Sequence, residues 1–313
     1  MNPTSLKGRS LLTWINFAPE EIRYFLDLTR RVKAESRKSS PRQRFRGKSL
    51  ALIFEKPSLR TRAAFETAFG EEGGHPVFLS SQDIRLGAKE SIEDAARTLG
   101  RMFDAIEFRG FRQEDAETLA KFAGVPVYNG LTDSFHPTQV LADFFTLEET
   151  FGAFKGRKLA YVGDGRNNVS RSLMVICSKM GADFSIVAPK ALWPDSDLRE
   201  MCMAFAAESG ATLEISEDRV GGLGGASAVY TDVWVSMGEE AVEEERTKLL
   251  EPYRVDSKLM ALTGDPKSIF MHCLPAVKGG EVTFDVFEGP QSKVFDQAEN
   301  RKHAIKAILL ATL

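Results

Sequence analysis

Short apolar runs alternate along the chain with longer stretches in which apolar positions recur at helical spacing, the pattern of strands set between helices. The clearest pair begins with Ser49-Leu50-Ala51-Leu52-Ile53-Phe54, whose unbroken apolarity predicts a buried strand. After a turn comes Ala63-Ala64-Phe65-Glu66-Thr67-Ala68-Phe69, a run of helical type. Upstream, Ala18-Pro19-Glu20-Glu21 opens a helix to about Ser36, with Ile22, Phe25 and Leu26 near one face, and residues 37–47 read as a basic, polar loop. Downstream come a strand at Pro76–Leu79, a loop from Ser80 to Lys89, and a helix capped by Ser91-Ile92-Glu93-Asp94 and ending near Phe103. A strand from Ala105 stops at Arg109, and another covers Val125–Asn129, where Pro126 argues against a central place. His136-Pro137-Thr138-Gln139 begins a long helix to about Phe151.

Gly152 to Gly156 interrupts the pattern, which then starts again. Strands are expected at Leu159–Val162, Phe184–Val187, Thr212–Ile215, Val229–Val233 and Ile269–His272. Helices are expected at Val169–Met180, Leu198–Glu208 and Glu299–Leu313. Gly221-Gly222-Leu223-Gly224-Gly225 reads as a flexible loop. The double alternation predicts an α/β fold of two doubly wound parallel-sheet domains with an active-site cleft between them, divided near residue 150. Ligands of such sheets sit beyond the carboxyl ends of the strands. Residues 58–62, Arg109, His136, Asn168, Asp232 and Cys273 all fall at or beyond predicted strand ends.

Among these, Ser58-Leu59-Arg60-Thr61-Arg62 carries the most chemistry. Pro57 suits the turn, Ser58 suits a helix N-cap, and the first N–H groups of a helix attract anions. Arg60 and Arg62 add charge, and Ser58 and Thr61 add hydroxyls, which together equip the segment for a phosphate. The same residues also make an ordinary solvated helix start, and the segment alone does not choose. Read alone, His136 is a capping or packing histidine, Arg109 a solvated strand end, and Cys273 a small buried apolar residue.

Composition narrows the class. The 313 residues, 43% hydrophobic and 27% charged, hold material for two sizeable cores. With 41 basic and 44 acidic residues, the net charge of −3 offers no nucleic-acid surface. No apolar run reaches the roughly 18 residues of a membrane span, and the N-terminus lacks the apolar core of a secretory signal. Cys177, Cys202 and Cys273 are too widely spaced for a disulfide framework or a paired metal motif, so a reducing cytoplasm is expected. The four histidines show no metal-ligand spacing, and no metal is expected. Gly163-Asp164-Gly165-Arg166-Asn167-Asn168 opens like a dinucleotide fingerprint, but Asn168 stands where the third glycine belongs, so no nucleotide cofactor is expected.

The motif at 58–62 closely resembles the Ser-Thr-Arg-Thr-Arg signature of the carbamoyltransferases, which binds the phosphate of carbamoyl phosphate. Leu59 stands where that family usually has threonine. His136-Pro137-Thr138-Gln139 and Phe108-Arg109-Gly110 resemble two further segments of the family. Asp232-Val233-Trp234-Val235-Ser236-Met237-Gly238 and His272-Cys273-Leu274-Pro275 resemble the motifs of its ornithine branch rather than its aspartate branch, and Glu299-Asn300-Arg301 resembles the last-helix motif.

The resemblance spans about Ser5 to Leu313 and implies an ornithine carbamoyltransferase. This transferase makes L-citrulline and phosphate from carbamoyl phosphate and L-ornithine, without a cofactor. It implies a carbamoyl-phosphate-binding domain at 1–150, an ornithine-binding domain at 151–298, and a helix at 299–313 returning to the first. It implies catalytic roles for Cys273, Asp232, Arg109 and His136. Carbamoyl phosphate would be held by Ser58, Leu59, Arg60, Thr61, Arg109, His136, Gln139, Cys273, Leu274 and Arg301. Ornithine would be held by Asn168, Asp232, Ser236 and Met237. A homotrimer or multiple of trimers follows, with Gln82 or Arg85 reaching a neighbour's site. The alternatives are a carbamoyltransferase for putrescine or an acylated ornithine, a Rossmann-type oxidoreductase, and a relative that binds without turnover.

Overall fold

Parallel strands covered by helices on both faces read as near-continuous apolar runs, and Leu50–Phe54 obeys that rule. In the computed structural model, which describes residues 6–36, 42–80, 84, 86–87, 90–235 and 240–313, every residue of the strand Ala105–Arg109 is buried. The chain divides into two units. The first runs to Phe145 and takes in Glu299–Leu313; the second is Thr146–Ala298.

In chain order the first unit contains α1 (Pro19–Ser36), β1 (Ser49–Phe54), α2 (Leu59–Gly70), β2 (His75–Ser80) and α3 (Ile92–Met102). Then come β3 (Ala105–Arg109), α4 (Gln113–Phe122), β4 (Val127–Leu131) and the start of α5 (Pro137–Phe151). Its four strands are all parallel, in the order β2-β1-β3-β4. The strand after Pro126 is thus an edge strand, where a missing N–H does least harm. Ala51, Ile53, Ile106, Phe108 and Val127 pack with Ala96, Ala116 and Leu119 into one core. Trp14, Phe17 and Phe25 stack edge to face in a second. Between Phe108 and Arg109 the β3–β4 register slips by one residue, leaving Gly130 as a bulge.

The second unit contains β5 (Lys158–Val162), α6 (Asn168–Met180), β6 (Asp183–Val187), α7 (Ser196–Ser209) and β7 (Leu213–Ser216). It continues with α8 (Arg219–Leu223), β8 (Ala226–Thr231), α9 (Glu243–Leu250), α10 (Ser257–Ala261), β9 (Ile269–His272) and α11 (Phe284–Phe287). The five parallel strands run β7-β6-β5-β8-β9. Ala160, Val162, Val187, Val229 and Phe270 form its core with Leu259, Val282 and Phe287.

The last helix, α12 (Val294–Thr312), enters the first unit at Glu299. There the Tyr128 hydroxyl meets Thr312 Oγ1 at 2.8 Å, and Lys33 Nζ donates to Asn300 at 2.7 Å. Lys302 and Lys306 bind Glu71 at 3.0 and 2.7 Å. These bonds fix α12 along its length beside α1, α2 and β4.

Two sequence expectations are corrected. Gly221 and Gly222 lie in the helix α8 rather than in a flexible loop. Asp218 caps that helix by accepting from Val220 N at 2.9 Å. A Cβ on Gly222 would meet Val187 Cγ2 at 2.5 Å, so glycine is what lets α8 lie against β6. The strand expected at Val229–Val233 begins earlier and ends at Thr231, leaving Asp232 just past its end.

Candidate active site

Strand order reverses once in each sheet, and a reversal opens a crevice at the carboxyl ends of the two strands that flank it. In the first sheet the flanking strands are β1 and β3; in the second they are β5 and β8.

At the first reversal, Ser58 is the N-cap of α2, its hydroxyl accepting from Thr61 N at 3.2 Å. Thr61 is fully buried. Its Oγ1 accepts from Arg301 Nη2 at 2.8 Å and from Arg109 Nη1 at 3.4 Å, which leaves its own O–H to donate. Arg109 sits at the tip of β3 and Arg301 on α12, 3% exposed. His136 lies just before α5 and is also buried. Burial holds its imidazole well below the usual histidine range, and the charges of Arg301, Arg109 and Arg60 depress it further. His136 is therefore a neutral ring among three guanidinium groups. Gln139 donates Nε2 to Asp143 at 2.8 Å, which fixes its amide so that Oε1 is the end left to accept.

Not every basic or apolar residue of the motif joins this group. Arg62 is exposed, binds Glu66 at 2.9 Å in its own helix and lies 3.7 Å over the Phe78 ring. Leu59, the first residue of α2, is 77% exposed. Lys56 is buried against the Phe111 ring and paired with Asp133.

At the second reversal, Cys273 Sγ donates to Asp232 Oδ1 at 3.0 Å, and Val233 N donates to the same oxygen at 2.8 Å. His272, fully buried at the end of β9, accepts from Leu274 N on Nδ1 at 2.8 Å. Its proton is therefore on Nε2, which meets Glu281 at 3.2 Å. Gln297 accepts from His272 N at 3.0 Å and donates to the Tyr230 hydroxyl at 3.2 Å, fixing the strand end. Leu274 has φ 61°, rare for a side-chain-bearing residue and typical of functional turns. Asp164, just past β5, pairs with Arg246 and accepts from Arg166 N at 3.0 Å. Asn168 opens α6 behind its N-cap Asn167.

Asp232, His272 and Cys273 place one potential ligand atom each within 4.8 Å of one another. Both nitrogens of His272 are already engaged, so a cation there would have to displace a bond to Leu274 or Glu281. The donor set fits a hydrogen-bonded acid–thiol pair better than a metal.

The first reversal thus gathers Ser58, Arg60, Thr61, Arg109, His136 and Arg301, with Leu59 at its rim. The second gathers Asp232, Cys273 and Leu274, with Asn168 at the neighbouring helix start. Ser236, Met237, Gln82 and Arg85 lie outside the described residues. Three polar residues at these sites escape sequence reasoning. Glu107, fully buried, is an acid inside an apolar strand, which is a visible signal. Tyr161 and Glu281 carry no such signal. Burial, then Asp232, Asp164, Cys273 and Glu281, hold the Tyr161 phenol well above its usual range, so it stays neutral.

Comparison with known proteins covers nearly the whole chain. Residues 9–149 match the family model described as "Aspartate/ornithine carbamoyltransferase, carbamoyl-P binding domain". Residues 155–312 match that of its "Asp/Orn binding domain". The ornithine carbamoyltransferase of Caldanaerobacter subterraneus subsp. tengcongensis is 64% identical over 309 residues, 99% of each chain. That of Pseudothermotoga lettingae is 60% identical over 309 residues, again 99% of each. The solved ornithine carbamoyltransferase of Pyrococcus furiosus superposes with a TM-score of 0.95 at 46% identity, covering 98% of this chain and 97% of that one.

Proposed function

The chain belongs to the aspartate/ornithine carbamoyltransferase family, and from that premise we propose that it transfers the carbamoyl group of carbamoyl phosphate to the side-chain amine of L-ornithine. The products are L-citrulline and phosphate. The observation that carries the reading is the convergence of Arg109 and Arg301 on the one buried hydroxyl of Thr61, beside the cap of α2.

The first unit takes carbamoyl phosphate. Ser58, the N–H groups opening α2, Arg60, Thr61 and Arg301 hold the phosphate as charge-assisted donors. Arg109 and His136 donate to the carbamoyl oxygen, on which negative charge grows as the amine attacks. A neutral His136 supplies that donor without adding a further positive charge to the cluster. Gln139 Oε1 accepts from the carbamoyl NH2. As the C–N bond forms, the C–O bond to phosphate breaks, and the same arginines take up the charge of the leaving group.

The second unit takes ornithine. Its amine is protonated in water and must be neutral to attack. Asp232 holds the amine, and the thiol of Cys273, already bonded to Asp232, places a second polar group beside it. Asn168, Ser236 and Met237 hold the amino-acid end. The protein works in arginine metabolism as a cytoplasmic homotrimer or multiple of trimers; light scattering of the purified protein tests the oligomer.

The deciding assay offers ornithine, putrescine and aspartate side by side with carbamoyl phosphate and measures the carbamoylated products. Citrulline as the dominant product is expected. Faster carbamoylation of putrescine or aspartate overturns the reading.

A further inference from the structure

Asp143 has no exposed surface, and its neighbours along α5, Leu141, Ala142, Phe144 and Phe145, are apolar and buried. A carboxylate is costly in such surroundings unless it is hydrogen-bonded. Its Oδ1 accepts from Gln139 Nε2 at 2.8 Å. The two residues are four apart, so they lie one turn from each other on the same face of the helix. Gln139 is itself 1% exposed, and its Oε1 has no hydrogen-bond partner among the described residues. The turn that carries it is pinned at both sides. Gln139 N donates to His136 O at 3.2 Å, and Trp14 Nε1 donates to Pro137 O at 2.9 Å. Gln139 is thus fixed one turn from the histidine on which Arg60, Arg109 and Arg301 act.

A primary amide has an accepting end and a donating end of nearly the same shape, so packing alone does not choose between them. A carboxylate only accepts. Asp143 therefore takes Nε2 and leaves Oε1 as the end that can meet a ligand. Without that carboxylate the amide is free to turn over and offer its N–H to an oxygen of an anion held by the arginines. The turned amide suits any acyl phosphate. The amide as Asp143 holds it suits an acyl group that carries an N–H. Facing a methyl group instead, Oε1 stays buried and unpaired, which costs more than a typical hydrogen bond returns.

We propose that Asp143 is a positioning residue for donor specificity. By holding the Gln139 amide with its oxygen towards the ligand, it makes the site prefer a carbamoyl group, whose NH2 donates, over an acetyl group of the same shape. Asp143 touches no substrate and acts through Gln139. This rests on the reading that Gln139 Oε1 accepts from the carbamoyl NH2.

The test uses two stable ligands that differ in one group. Phosphonoacetamide carries NH2 on its carbonyl, and acetonylphosphonate carries CH3 there. Each is titrated calorimetrically, without ornithine, into wild type, Asp143→Asn and Gln139→Met. Wild type should prefer phosphonoacetamide at least about tenfold, the worth of one buried hydrogen bond whose acceptor is otherwise left unpaired. Asparagine keeps the shape of aspartate but can donate to Oε1 as well as accept from Nε2, so both amide orientations become available. In Asp143→Asn the preference should fall at least about threefold, and acetonylphosphonate should bind more tightly than it does to wild type, because Nε2 can now turn to a ligand oxygen. Damage to the fold would weaken both ligands. A fall of less than about threefold, or one that comes only from weaker binding of phosphonoacetamide, overturns the proposal. Gln139→Met separates the proposal from the reading beneath it. There the preference should vanish; if it persists, or if wild type shows none, the reading and the proposal fall together. Should Asp143→Asn not fold, Asp143→Ser is judged by the same two criteria, since its shorter hydroxyl leaves the amide free to turn.

Discussion

The two sheet reversals share an architecture and differ in charge. Around the first, the charges of Arg60, Arg109 and Arg301 act on a neutral His136, and Arg109 and Arg301 meet on Thr61. Around the second, Asp232, Asp164, Cys273 and Glu281 surround Tyr161, and the basic side chains nearby, Arg166 and Arg246, are spent on Asp164. One crevice suits a dianion; the other suits a cationic amine that must lose a proton. The parallel sheet supplies only the place, and a few side chains at strand tips decide the chemistry.

The comparison breaks most sharply at Arg109. Replacing it with alanine removes a donor to the developing oxyanion and should lower kcat about 10²–10³-fold. Steady-state citrulline assays with ornithine saturating read this directly, and a loss below tenfold would take Arg109 out of the chemistry. In the second unit, Asp232→Asn removes a charge from the amine-binding end. A hydrogen bond to a charged group is worth about 1.5–3 kcal/mol, so the Michaelis constant for ornithine should rise about 10–100-fold. That for carbamoyl phosphate should stay within about threefold, a threshold that one such lost bond would exceed. The reverse pattern would erase the division between the units.

A third difference concerns acid. Burial, with Lys302, lowers His303 of α12 to about 4 in the folded protein. Its folded pKa lies below the ordinary value of about 6.5, so the unfolded state binds more protons between the two. Stability therefore falls as pH drops from about 6.5 towards 4, and His136 acts in the same direction. Thermal unfolding of His303→Gln across this window should show a shallower pH slope than wild type; an unchanged slope would exclude His303 as a source of acid lability. The smallest effect is expected at Leu59. Its exposed side chain leaves room for Leu59→Thr to add one hydroxyl donor. At about 1 kcal/mol for one hydrogen bond, the Michaelis constant for carbamoyl phosphate should fall no more than about fivefold. A rise would mean that the leucine itself contributes to the pocket.

Much of the fold is legible in the order of residues alone. The apolar runs Leu50–Phe54 of β1 and Ile269–Met271 of β9 stand out because buried parallel strands leave no alternation to interpret. Ser58 and Ser91 announce their helices by capping chemistry, and both accept from the N–H three residues on. The helix α4 is not legible: its buried positions include Gln113 and Ala116, which blur the apolar stripe. α8 is hidden by glycines that sequence rules treat as loop formers, although here they serve close packing against Val187. At the site, Arg109 and His136 can be named from their places at element ends. Their meeting with Arg301 cannot be read from the residues alone, because it depends on a helix 240 positions beyond Thr61 packing back beside it. Glu107 is visible as an acid in an apolar strand, but the room that Gly130 leaves beside its carboxyl exists only in three dimensions.

The most direct test of the charge division is a calorimetric titration of inorganic phosphate into wild type, Arg301→Gln and Asp232→Asn. The account predicts that Arg301→Gln weakens phosphate at least about tenfold, the loss of one charge-assisted hydrogen bond, while Asp232→Asn leaves it within about twofold. Equal affinity in all three proteins, or a greater loss at Asp232, would contradict it.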